Sequence, residues 1–137
     1  VEREAAFLAQ IVHESGGFRY VRELATGEAY EGRSDLGNTE AGDGVKFKGR
    51  GLIQITGRSN YEKCGAALGL DLVAHPVLLE SPALAARSAC WFWEVHGLNE
   101  LADKGDFLHI TKRINGGTNG WNERVALWDK AKETLSA

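Results

Sequence analysis

Seventeen glycines in 137 residues, against only two prolines, set the layout of this chain before any other feature does. Seven of them, Gly27, Gly32, Gly37, Gly42, Gly44, Gly49 and Gly51, fall within residues 24–51 among short polar runs. Glycine costs about 1 kcal/mol relative to alanine inside a helix, so this stretch reads as a long loop. Long ordered loops in small domains are often binding or active-site segments.

The flanking sequence is helical. Ala5, Ala6, Leu8, Ala9 and Val12 recur at helical spacing and predict an amphipathic helix over 3–14, ended by Gly16-Gly17. Ser59 is placed to cap a helix to about Leu68 with Gly69 as its stop. Ser81 followed by Pro82 marks another start, for a helix through Trp91 and Phe92 to about Val95 that ends near Gly97. Asp106 begins a helix through Ile114 closed by Gly116-Gly117, and a last one runs from about Asn122 to Leu135, burying Val125, Trp128 and Leu135. Between Phe47 and Thr56, Leu52, Gln54 and Thr56 alternate with Ile53 and Ile55, which predicts a short hairpin or small sheet. The expectation is a mainly α (α+β) fold in one domain over residues 1–137, a length that fits the usual range of about 100–150.

Several chemistries are excluded. His13-Glu14 is followed by Gly17 where a helical zinc-protease signature needs a second histidine, and Arg50-Gly51 stands where a phosphate loop needs Lys-Ser/Thr. Four scattered histidines and two cysteines show no metal spacing, so no metal and no cofactor are expected. Cys64 and Cys90 lie in alanine-rich helical segments and read first as small apolar residues. A net charge of −3 does not call for nucleic acid. No apolar run reaches the roughly 20 residues that span a bilayer, so no membrane insertion is expected. Residues 1–43 hold nine acids and four bases, while residues 44–61 hold Lys46, Lys48, Arg50 and Arg58 with no acid. The basic stretch suits either a partly anionic substrate or a plain solvated face.

What remains is a set of carboxylates around the glycine-rich loop. Glu14 falls at a helix C-terminus, where the helix dipole disfavours the ionised form, as a proton donor requires. Glu23 follows nine residues on, with Glu28 and Glu31 as rivals on the same loop. Glycosidic cleavage needs one protonated carboxyl to assist the leaving oxygen and one ionised carboxylate. Gln54, Thr56 and Asn60 are uncharged hydrogen-bonding residues suited to sugar hydroxyls and acetamides, or equally to the polar face of an edge strand. Consecutive Trp91, Phe92 and Trp93 suit a core, whereas Tyr30 and Trp121, in loops, are candidates for stacking on a sugar.

In this order along the chain stand Ala6-Phe7-Leu8-Ala9-Gln10 running into His13-Glu14-Ser15-Gly16-Gly17-Phe18, Gly42-Asp43-Gly44, Lys48-Gly49-Arg50-Gly51-Leu52-Ile53-Gln54-Ile55-Thr56-Gly57, Asn60-Tyr61, Ala85-Ala86-Arg87-Ser88-Ala89 with Trp91-Phe92-Trp93, and Ile114-Asn115-Gly116-Gly117. This ordered set resembles family 19 of the glycoside hydrolases, in its compact phage-endolysin and bacterial lysozyme-like branch. The resemblance implies a lysozyme-like helical fold with two lobes flanking a cleft, and an inverting hydrolysis. It implies Glu14 as general acid, Glu23 as the base that activates water, and Thr56 as the hydroxyl that orients this water. Gln54, Asn60, Tyr61 and Asn115 match sugar-binding positions, and Arg124 matches an arginine behind the catalytic acids. Residues 24–41 are brief where many relatives carry a longer insertion, which leaves Glu31 as an alternative second carboxylate.

The same resemblance implies a polysaccharide partner, peptidoglycan or a chitin-like polymer, and a monomeric enzyme. The shortened loops favour peptidoglycan, with chitinase as runner-up and a catalytically silent cell-wall-binding module as the non-enzymatic alternative. Residues 1–6 lack the pattern of a secretory signal. A phage endolysin would stay in the host cytoplasm until release to the periplasm or cell wall.

Overall fold

The computed structural model describes residues 1–137. Seven α-helices follow one another: α1 (Glu2–Glu14), α2 (Asp43–Lys46), α3 (Arg58–Leu68), α4 (Pro82–Val95), α5 (Leu98–Asp103), α6 (Phe107–Asn115) and α7 (Trp121–Ser136), with short 3-10 turns at Glu28–Tyr30, Ser34–Leu36 and Pro76–Glu80. None is long and apolar enough to cross a membrane. The contacts gather into two compact units, Val1–Phe18 with Trp93–Ala137, and Arg19–Phe92.

The first unit is built from α1, α5, α6 and α7. Glu2 and Glu4 occupy the first turn of α1, where acids favour the helix dipole. Its stripe of small residues, Ala5, Ala6 and Ala9, is buried with Ile11. The helix ends because the buried Ser15 hydroxyl donates to the Ile11 carbonyl at 2.7 Å and accepts the Phe18 amide at 2.8 Å. Phe7 meets Trp93 edge-on at 5.2 Å, and Phe107 stacks on Trp128 at 4.4 Å with the rings 4° from parallel. Asp106 caps α6, accepting the His109 amide at 3.1 Å, and Gly116 closes that helix in the left-handed conformation, both as the sequence predicts. In α7 the buried residue is Arg124; Val125, Trp128 and Leu135 are only half-buried.

The second unit packs α2, α3 and most of α4 around Phe47, Ile53, Ile55, Tyr61, Cys64, Leu72, Leu79, Ala85 and Ala89. The predicted hairpin or sheet does not form. Only isolated antiparallel bridges join Arg22 to Arg50 and Arg50 to Ile55. The alternation itself is present, since Ile53 and Ile55 are buried and Leu52, Gln54 and Thr56 half-buried. Residues 51–54 curl into a turn instead, with φ of 85° at Gly51 and 63° at Gln54, which a strand cannot accommodate. Helix α3 begins at Arg58 with Gly57 as its cap, two residues ahead of the expected Ser59, and ends at Gly69 as expected. The two cysteines are free, Cys64 buried and Cys90 exposed.

Arg50 ties this unit together. It is 7% exposed, and its guanidinium donates to Glu80 at 2.9 Å, to the Lys46 carbonyl at 2.7 Å and to the Tyr61 hydroxyl at 3.2 Å. The Tyr61 hydroxyl donates in turn to the Lys48 carbonyl, and burial pushes this phenol far above its ordinary ionisation range. Tyr61→Phe leaves both the carbonyl and an Arg50 N–H short of a partner in the core. The expected cost is about 1–3 kcal/mol, read as a lower denaturation midpoint at unchanged slope.

Candidate active site

Glu14 is the last residue of α1, and its side chain is 20% exposed, so it is anchored yet open to water. One oxygen accepts from the Arg124 guanidinium at 2.7 Å. Arg124 is itself buried and donates also to the Gln10 side chain and to the Asn119 carbonyl at 2.9 Å. The partner that fixes the carboxylate thus comes from a residue 110 positions away. Beside this pair, His13 Nδ1 lies 2.9 Å from Glu123, so consecutive residues of α1 meet consecutive residues of α7.

Glu23 lies on the segment that bridges to Arg50. Its amide donates to the Gly49 carbonyl at 2.9 Å, while the Gly49 amide donates to Glu23 Oε1 at 2.6 Å. The other oxygen, Oε2, accepts the Tyr30 hydroxyl at 3.1 Å. A Cβ at position 49 would sit 2.7 Å from the Gln54 amide oxygen, so a side chain there would have to displace the end of Gln54. The rival Glu31 is placed differently. Both its oxygens accept backbone amides, from Gly42 at 2.9 Å and Gly44 at 2.8 Å. Those two bonds hold its carboxyl below the usual range. Glu28 is exposed at the start of the 3-10 turn.

The polar residues after Gly49 form a ladder along the chain. Gln54 Nε2 donates to the Gly51 carbonyl at 3.0 Å, the Thr56 hydroxyl to the Gln54 carbonyl at 3.0 Å, and Asn60 Nδ2 to the Thr56 carbonyl at 2.8 Å. Each spends a donor on the backbone and keeps acceptor capacity: a hydroxyl retains lone pairs, an amide its oxygen. The unit that holds Glu23 thus also holds Gln54, Thr56, Asn60 and Tyr30; the unit that holds Glu14 holds Arg124 and Asn115. Asn115 Oδ1 accepts the Asn119 amide at 3.2 Å and so shapes the turn into α7.

Residues 2–103 match the family model described as chitinase class I. A glycosyl hydrolase family 19 domain-containing protein of Haemophilus influenzae is 34% identical over 92% of this chain and 76% of its own length. The chain belongs to glycoside hydrolase family 19. An endochitinase of Arabidopsis thaliana is 40% identical over 82% of this chain and only 38% of its own length, so the chain spans well under half of that plant enzyme. In structure, a family 19 class IV chitinase from Zea mays superposes with a TM-score of 0.79 at 33% identity, covering 99% of this chain and 70% of that one.

For a family 19 chain, several positions carry different weight from what the sequence conveys. Tyr61 is fully buried with its hydroxyl turned to backbone and Arg50, so it braces the core and presents no surface to a sugar. Trp121 is half-buried and leans on Phe107 at 5.8 Å. Two of the four cations in the basic stretch are consumed internally: Arg50 by Glu80, and Arg58 by Asp43 at 2.8 Å and Glu40 at 2.6 Å. Gln10 was not singled out by sequence reasoning. Its signal was a polar residue inside the buried alanine stripe of α1, and it links Arg124 to the Thr111 hydroxyl at 2.9 Å.

The Glu31 clamp has a defined pH signature. A carboxyl held below its unfolded value stabilises the fold above the unfolded range, and that contribution is lost as pH falls through the depressed folded value. Glu31→Gln is therefore expected to melt below the parent at neutral pH. The gap should close once the medium is acid enough to protonate Glu31, and a gap that persists at low pH would rule the clamp out.

Proposed function

We propose that this chain is an endolysin-type glycoside hydrolase that cleaves β-1,4 bonds of bacterial peptidoglycan with inversion. Glu14 is the proton donor, Glu23 the base that activates water, and Thr56 accepts a hydrogen bond from that water through its free lone pairs. Gln54, Asn60 and Asn115 bind the sugar, and Arg124 positions Glu14. The observation that carries this reading is the contrast between the carboxylates. Glu14 is bonded through one oxygen, to Arg124, and Glu23 is held by donors from two separate places, the Gly49 amide and the Tyr30 hydroxyl. Both oxygens of Glu31, by contrast, are taken by amides of one short turn, Gly42 and Gly44, which hold its carboxyl below the usual range. Membership of family 19 supports hydrolysis of a β-1,4-linked N-acetylamino-sugar polymer.

For the polymer, the brief 24–41 segment favours peptidoglycan, and of the basic stretch only Lys46 and Lys48 remain to meet peptide carboxylates. The second reading, a chitinase, is favoured by the relatives, since both the Arabidopsis and the maize proteins are named for chitin. The enzyme is taken to act as a monomer on the cell wall, reached from the cytoplasm of a lysing host.

Clearing of permeabilised Gram-negative cells, run beside hydrolysis of a soluble chitin oligomer, separates the two polymers. Glu14→Gln should lower the rate about 10²–10⁴-fold on the polymer that is cut. Equal rates for parent and variant would remove Glu14 from its role. Pelleting with cell walls but cutting neither polymer would make the chain a binding module.

A further inference from the structure

We propose that Tyr30 is a positioning residue for Glu23: its hydroxyl and the Gly49 amide together fix the carboxylate in one orientation, and its ring is not a sugar platform. The inference rests on the reading of Glu23 as the base.

The geometry divides the work evenly. Gly49 donates to Oε1 at 2.6 Å and Tyr30 to Oε2 at 3.1 Å, one donor to each oxygen. A carboxylate held in this way cannot turn about its last bond without breaking both contacts. With one hydrogen bond removed it can, and a base that must aim a water loses rate for each wrong orientation it samples.

Tyr30 is built to deliver that one bond. Its amide donates to the Gly27 carbonyl at 3.0 Å, and its carbonyl accepts Asn38 Nδ2 at 2.9 Å. Asn38 is buried, and its other amide atom accepts the first amide of α3, at Arg58, at 2.9 Å. The next residue is Glu31, clamped to Gly42 and Gly44. The main chain is thus tied on both sides of Tyr30, and the side chain is left pointing along one line. The glycine-rich loop has a physical reason to be ordered without a substrate: it is the bracket behind the second carboxylate. Burial first, and then the neighbouring Glu23 charge, push the Tyr30 phenol above its ordinary value. It therefore stays protonated, as a donor must, across the whole range in which a carboxylate can act as base.

The discriminating variant is Tyr30→Phe, which keeps the ring and removes only the hydroxyl. On the polymer that the parent cleaves, kcat should fall roughly tenfold or more, the worth of a hydrogen bond to a charged group, with KM unchanged. Combined with Glu23→Gln it should add no further loss, since the two act through one group. A readout independent of turnover is the ultraviolet titration of the three tyrosines. The component missing from Tyr30→Phe should ionise at lower pH in Glu23→Gln than in the parent. Full kcat in Tyr30→Phe beside an inactive Glu23→Gln overturns the positioning role and leaves the base assignment standing. A raised KM that Tyr30→Phe lacks and Tyr30→Ala shows would return the ring to sugar stacking. Identical phenol titration in the parent and Glu23→Gln overturns the contact itself, and an active Glu23→Gln removes the base assignment and this inference with it.

Discussion

A buried guanidinium organises the first unit. Arg124 contributes its charge from α7, and it draws on three separate places: the Gln10 amide, the Glu14 carboxylate and the Asn119 carbonyl. Gln10 passes the connection to Thr111, whose hydroxyl donates to the Phe107 carbonyl one turn back in α6. Three helices are therefore joined by one polar network. A buried cation is costly unless every donor is directed. The same requirement that makes the network satisfied also makes it specific: α1 and α7 have only one register in which Glu14 meets Arg124 and His13 meets Glu123. Structure and chemistry are not separable here, because the residue that holds the helices is the residue that holds the carboxylate.

The second unit solves the same problem with backbone. Glu23 is gripped by an amide at Gly49, and Glu31 by amides at Gly42 and Gly44. The loop folds so tightly on itself that a Cβ at Gly27 would lie 2.5 Å from the Gly44 carbonyl oxygen, and one at Gly44 would lie 2.6 Å from the Glu31 amide. Glycine is needed at these positions for close approach as much as for turning. A loop of this kind presents amides where a helix or strand would have spent them, and carboxylates are the natural partners for those amides.

Much of this was legible in the sequence, and the boundary is physical. Asp106, Ser81-Pro82, Gly69 and Gly116 announce helix ends because capping is local, decided within one turn. The six residues of α5 are too few to display a period, and α2 is a single turn inside the glycine-rich stretch. The alternation at residues 52–56 reported burial correctly and strand wrongly, since a tight turn can also send side chains to opposite sides. Glu14 could be placed from its own neighbourhood. The partners of the carboxylates could not: Arg124 is 110 residues from Glu14, and Gly49 is 26 residues from Glu23. Tyr30 was visible as an aromatic in a loop, but which end of it mattered depended on a fold-back that no local pattern records.

The two thiols differ in a way that turns the protein into its own reporter. Cys90 is exposed, whereas Cys64 lies inside α3 with its thiol pushed up to about 11 by burial. Only a thiolate attacks an alkylating reagent, so in the native state a label enters at Cys90 alone. Labelling at Cys64 then marks openings in which α3 lifts from the core that includes Phe47 and Leu72. With Cys90 removed, the rate of that reaction reports local openings of the unit that carries Glu23.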